Sequence, residues 1–101
     1  VIDAGWYADE KRMGEQHGDW EVSEALFPKG IGSVADKIHA AGMKAGIWFE
    51  PEVAGQDAAA FHMEDHLLKR RGKVITSGAR RFWDMRQEWV RDYLSVKVTG
   101  F

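Results

Sequence analysis

Three short apolar runs, each closed by a carboxylate, set the limits on how this chain can fold. Val1-Ile2 ends at Asp3, Met43 to Phe49 ends at Glu50-Pro51-Glu52, and Phe82-Trp83 ends at Asp84. Runs this short and this rich in Val, Ile, Phe and Trp read as buried strands rather than helices. Pro51 has no N–H for a sheet ladder, so it marks where the second run stops. Segments at helical spacing lie between the runs. Ser33 offers an N-cap to a helix carrying Val34, Ile38 and Ala41, and Gly42 stands where a C′ glycine would end it. Gln56 and Asp57 are placed to cap a second helix through Ala58, Phe61, Asp65 and Leu68. Asp84, with Gln87 three residues later, reads as the cap of a third, along which Trp89, Val90, Tyr93, Leu94, Lys97 and Val98 recur. Arg71-Gly72, between Leu67-Leu68 and Val74-Ile75, reads as a small hairpin. Strand and helix alternate three times, which predicts an α/β fold with parallel strands.

The chain has 101 residues, room for one small domain, since a single core commonly takes about 100 residues. It opens without Met inside one apolar run and ends in another (Val96, Val98, Phe101), so the expectation is a piece of something larger. With 45% hydrophobic and 30% charged residues it is globular in composition. Fourteen basic residues against sixteen acidic ones give a net charge of −2, which argues against a dedicated binder of nucleic acid or of an anionic membrane. Runs free of charge fall well short of the ~18 apolar residues of a membrane span. The absence of Cys excludes a disulfide framework and thiolate metal sites.

Three features imitate known motifs. Gly30-Ile31-Gly32-Ser33-Val34-Ala35 has the glycine spacing of a dinucleotide-binding turn, but Pro28 breaks any strand that would run into it. A loop and a helix entry is the better reading. His62 and His66 stand four apart, yet Met63 occupies the position where a zinc protease carries Glu, so two solvated histidines are expected. Lys69, Arg70, Arg71, Lys73, Arg80 and Arg81 form a basic segment without an aromatic among the first four, which reads as a solvated hairpin.

The polar stretch from Tyr7 to Lys29 is too long for an ordinary connection, and loops of that length tend to carry function. In an α/β barrel the strand C-termini converge on one face, and Asp3, Glu50, Glu52 and Asp84 would gather there. Trp6, Trp20 and Trp48 lie near the same ends. Carboxylates beside indole faces suit a sugar, whose hydroxyls donate to carboxylates and whose C–H patch lies flat on an aromatic ring. Blander readings stand beside this one. Asp84 is more simply a helix cap, Trp48 a barrel-wall residue, and Glu50 or Glu52 half of an ion pair. Asp3 is harder to explain away, because a carboxylate ending a buried strand needs a reason.

VIDAGWY at Val1 to Tyr7, HGDWEV at His17 to Val22, FPKGI at Phe27 to Ile31, GMKAGIWFEPEV at Gly42 to Val53 and RRFWDM at Arg80 to Met85 resemble, in order, five motifs of glycoside hydrolase family 36, the α-galactosidases. The resemblance implies a partial (β/α)8 TIM barrel of about three βα units, with residues 1–101 running roughly from its second strand to the helix before its fourth. It implies a retaining enzyme that hydrolyses terminal α-linked galactose, whose nucleophile and acid/base lie downstream of Phe101. Asp3, Trp48, Trp6, Trp20 and Glu50 would then be substrate-binding residues rather than catalytic ones. Many family members carry two adjacent acids at the first motif; here Asp3 is followed by Ala4, so only the first carries over. The partner implied is a galactoside, with no cofactor, metal, nucleic acid or membrane. A homo-oligomeric parent is left open, and a cytoplasmic setting is favoured. An arc of three strands leaves two open sheet edges, so the isolated chain is expected to fold poorly.

Overall fold

The strands are shorter than the apolar runs that announce them, and nearly all their pairings are antiparallel. A computed structural model describes residues 1–8 and 13–100; positions 9–12 of the long polar stretch, and Phe101, lie outside the described residues. The chain divides into two compact units, Val1–Met13 with Glu21–Phe49, and Gly14–Trp20 with Glu50–Phe101. No helix among the described residues is long and apolar enough to cross a membrane.

In the first unit the expected pair of parallel strands contracts to one bridge, Ile2 beside Ile47. Ile2 N–H donates to the Gly46 carbonyl at 2.7 Å, and Trp48 N–H donates to the Ile2 carbonyl at 2.9 Å. Helix α1 spans Ile31–Ala40. Its N-cap is Gly30 rather than Ser33, which sits inside the first turn and donates its hydroxyl back to the Gly30 carbonyl at 2.8 Å. Ser33 stands three residues past the cap position, and its hydroxyl bonds backward to the carbonyl one turn earlier. Gly42 does end the helix: its φ is +80°, and its N–H reaches the His39 carbonyl at 2.9 Å. None of the residues of α1 is buried.

The second unit holds the packed core and overturns the expectation of three parallel strands. Strand β1 (Val53–Gly55) pairs antiparallel with β5 (Arg80–Phe82), which pairs antiparallel with β4 (Thr76–Ser77). A parallel return needs a crossover, usually a helix, and between β1 and β5 the chain supplies only 3₁₀ turns and short strands. The helix expected from Ala58 to Leu68 is instead two 3₁₀ turns, Ala59–His62 and Glu64–His66, broken at Met63. The hairpin does form, between β2 (Lys69–Arg70) and β3 (Lys73–Val74). Arg71 and Gly72 have φ of +53° and +78°, the two left-handed residues of a type I′ turn. Lys69, Arg70, Arg71 and Lys73 are solvated, whereas Arg81 lies over the Phe61 ring at 4.1 Å and pairs with Glu64 at 3.2 Å. Helix α2 (Glu88–Thr99) lays Val90 and Leu94, one turn apart, into a core with Ala54, Ala58, Ala60, Leu67 and Trp83.

Residues 14–20 are threaded into this unit by their backbone. Gly55 N–H donates to the His17 carbonyl at 2.7 Å and Asp57 N–H to the Glu15 carbonyl at 2.8 Å. Asp19 accepts the amides of Ala59 (2.8 Å) and Ala60 (3.0 Å), capping the first 3₁₀ turn. Glycine is required at 55, where a Cβ would run into the Glu15 carbonyl.

Candidate functional site

Asp3 and Trp48 each follow a partner of the parallel bridge, so the common strand direction brings them to neighbouring strand ends. Asp3 is exposed, with Oδ1 accepting the Ala4 amide at 2.7 Å. Trp48 is half-buried, its ring stacked against Tyr7 at 6.5 Å and 23°. Trp6 is only 2% exposed and packs edge-on to Tyr7 and Phe49, each at 5.3 Å. Its indole N–H donates to the Trp48 carbonyl at 2.8 Å. Trp6 therefore has no open face of its own and holds the backbone that carries Trp48.

Trp20 and Glu50 belong to the second unit. Trp20 is buried at φ +53°, a region that side chains with a Cβ seldom occupy, and meets the edge of His17 at 5.9 Å. Glu50 is held from two sides. Its Oε1 lies 3.4 Å from the Arg80 guanidinium and its Oε2 3.5 Å from Nε2 of His17, while His17 Nδ1 meets the Gly14 carbonyl at 3.1 Å. His17 is 2% exposed. Sequence reasoning named Glu50 but missed both partners, as well as the cap at Asp19. The Arg80-Arg81 pair opening a strand was the available signal for one of them.

Asp84 is not the cap of α2. That cap is Gln87, and Arg86 grips the Asp84 carboxylate with Nε at 2.8 Å and Nη2 at 2.9 Å. The same carboxylate also accepts the Arg86 backbone amide at 3.2 Å, closing a turn ahead of the helix rather than capping it. These hydrogen bonds from Arg86 hold the carboxyl down to about 2, so Asp84 stays ionised and cannot serve as a proton donor near neutrality. Gln87 Oε1 instead accepts from His66 Nδ1 at 2.8 Å, and its Nε2 donates to the Asp65 carbonyl at 2.9 Å. Because the Gln87 amide nitrogen serves Asp65, its oxygen faces His66, and Nδ1 of His66 is the donor.

His66 is not a simply solvated residue, since it stacks on Trp89 at 3.7 Å and 11°. With His62 it lines a shallow cavity of about 420 Å³, completed by Met63, Glu64, Asp65 and Trp89. No group of three or more His, Cys, Asp or Glu residues suited to a metal occurs among the described residues. The glycine pattern at Gly30 follows a turn in which Gly30 N–H bonds the Phe27 carbonyl at 2.9 Å, with no strand leading into it. A dinucleotide turn is not built there.

The melibiase family model matches residues 1–100. This chain belongs to the melibiase family. Among its relatives is the α-galactosidase Mel36A of Lactobacillus acidophilus, 35% identical over 74 residues, which is 72% of this chain and 10% of that protein. Another is α-galactosidase 2 of Pediococcus pentosaceus, 32% identical over 99% of the chain and 14% of the relative. The melibiase-family chain therefore spans between a tenth and a seventh of the length of these relatives. The crystal structure of the α-galactosidase from Lactobacillus brevis is similar in fold, with a TM-score of 0.83 and 32% identity over 99% of this chain and 14% of that one. The family 36 resemblance carried by the five sequence motifs is thereby borne out, since a family 36 α-galactosidase from Geobacillus stearothermophilus matches at a TM-score of 0.83 and 27% identity.

Proposed function

We propose that this chain is part of the (β/α)8 catalytic barrel of a retaining α-galactosidase, and that it supplies contacts to the galactose rather than the reacting carboxylates. The observation that carries this reading is the family match from end to end, over residues 1–100. The segment runs roughly from the second barrel strand to the helix before the fourth, and the parallel bridge between Ile2 and Ile47 is the pairing expected of two such strands.

In this reading Asp3 is the primary polar contact. One of its oxygens is occupied by the Ala4 amide, and the carboxylate is otherwise open to accept from a sugar hydroxyl. Trp48 offers the flat apolar surface under the ring, and Trp6 fixes it by bonding the Trp48 carbonyl. Glu50, which pairs with Arg80 and His17, is read as a further sugar-contact carboxylate, and Trp20 meets the edge of His17. Retaining hydrolysis needs a nucleophile and an acid/base about 5–5.5 Å apart, which come from elsewhere in the protein. In this reading Glu50 takes neither part, its carboxylate being engaged by the Arg80 guanidinium at 3.4 Å.

The intact protein is expected to hydrolyse terminal α-linked galactose from oligosaccharides. Asp3→Ala should lower kcat/KM by about 2 kcal/mol, the scale of a lost charge-assisted hydrogen bond. Steady-state kinetics on an aryl α-galactoside and on a galacto-oligosaccharide check both points. Absence of turnover on any α-galactoside sinks the reading, and an unchanged kcat/KM in the variant removes Asp3 from the site.

A further inference from the structure

We propose that His17 is a positioning residue for Glu50, holding that carboxylate in place for the sugar; this rests on the function proposed above. The imidazole is 2% exposed and cannot drift, because the backbone on both sides of it is pinned. The His17 carbonyl takes the Gly55 amide at 2.7 Å, and two residues on, Asp19 caps Ala59 and Ala60. On the ring, the Gly14 carbonyl can only accept, so Nδ1 is the donor in that 3.1 Å bond. Nε2 faces Glu50 Oε2, 3.5 Å away, and donates to it in the protonated ring, which carries a hydrogen on both nitrogens.

Glu50 needs such a hold. It follows the Met43 to Phe49 run and precedes Pro51, so its own segment gives it no ladder neighbour. Its second contact, Arg80, is 41% exposed on the side chain, and a long, half-solvated guanidinium fixes a partner poorly. His17, with a side chain 3% exposed, is the rigid one of the two. Losing it would let the carboxylate swing toward Arg80 and solvent. Small displacements of a positioned group are costly to turnover even when the reacting atoms are untouched.

Two substitutions separate this role from mere packing. Asn places its amide nitrogen where Nδ1 stands, so His17→Asn keeps the Gly14 bond and drops the reach to Glu50. Gln extends its amide to the position of Nε2, so His17→Gln keeps a donor to Glu50. In the intact protein, H17N should lower kcat/KM on an α-galactoside about tenfold, mainly through KM, and H17Q should recover most of that loss. Adding H17N to Glu50→Gln should cost little beyond E50Q alone. Wild-type kinetics in H17N, an H17Q as impaired as H17N with both folded, or additive losses in the double variant would each overturn the proposal. Should H17N not fold, His17→Phe retains the ring beside Trp20 and takes its place. If the wild type turns over no α-galactoside, it is the function reading that has failed. The His17–Glu50 coupling is then read from a thermal double-mutant cycle, where a coupling of zero removes the positioning role.

Discussion

The two units use their aromatic residues for different purposes. In the first, Trp6, Tyr7, Trp48 and Phe49 contact one another around a single backbone bridge, and the accompanying helix buries no residue. In the second, Trp83 is one member of a core with Leu67, Val90 and Leu94, laid over a three-stranded antiparallel sheet. The first unit is thus organised by rings and an indole hydrogen bond, which orient side chains. The second is organised by ladder and core, which resist deformation. Asp3 and Trp48 lie on the former, and the Glu50 clamp on the latter.

The largest expected effect tests that contrast directly. Trp83→Ala should destabilise the sheet by about 3–5 kcal/mol, as for other buried aromatics, whereas Ile38→Ala on half-buried α1 should cost about 1 kcal/mol. Hydrogen exchange of the intact protein, followed at residues 53–55 and 80–82 for the first variant and along α1 for the second, checks both. Comparable losses would erase the distinction. A smaller effect is expected at the cap: Asp19→Ala should open the Ala59 and Ala60 amides by about 1–2 kcal/mol, and Asp19→Asn, with one acceptor oxygen in place of two, should protect only one of them. Unchanged exchange at those two amides would show that the cap is dispensable.

The smallest is a pH effect at Asp84. Its carboxyl titrates near 2 in the folded chain, against about 3.9 when free, so its bond to Arg86 stabilises the fold above pH ~4 and is lost as the pH falls toward 2. Asp84→Asn lacks that dependence. The gap in melting temperature between wild type and D84N should therefore shrink as the pH is lowered from 5 to 2; a constant gap would deny the linkage.

What could be read from the sequence was what depends on adjacent residues. The Arg71-Gly72 turn and the Gly42 cap were legible because each needs a left-handed backbone at one spot. Ser33 and Asp84 misled because each helix begins elsewhere: at Gly30, three residues before Ser33, and at Gln87, three residues after Asp84. The Ala58 to Leu68 helix failed for a longer-range reason: its first turn is capped by Asp19, and its later residues are drawn toward Gln87. Parallel order appears only at the Ile2–Ile47 bridge, whose connection carries α1, while β1 and β5, joined without an α-helix, pair antiparallel. Among the candidate residues, the placement of Asp3 and Trp48 after the bridged strand residues could be anticipated from the apolar runs. The His17–Glu50–Arg80 set could not, since nothing local pairs residues so far apart.

The bonds from Asp19 to Ala59 and Ala60 join positions 40 and 41 residues apart along the chain. A turn completed by so distant a carboxylate cannot mature as a local event. Its ends must wait until the residues 14–20 find their groove, and closing a loop of that length precedes any reward from the contacts it makes. The G-D-W element is thus a late closure, and the order of assembly in this part of the protein is set by the arrival of one aspartate.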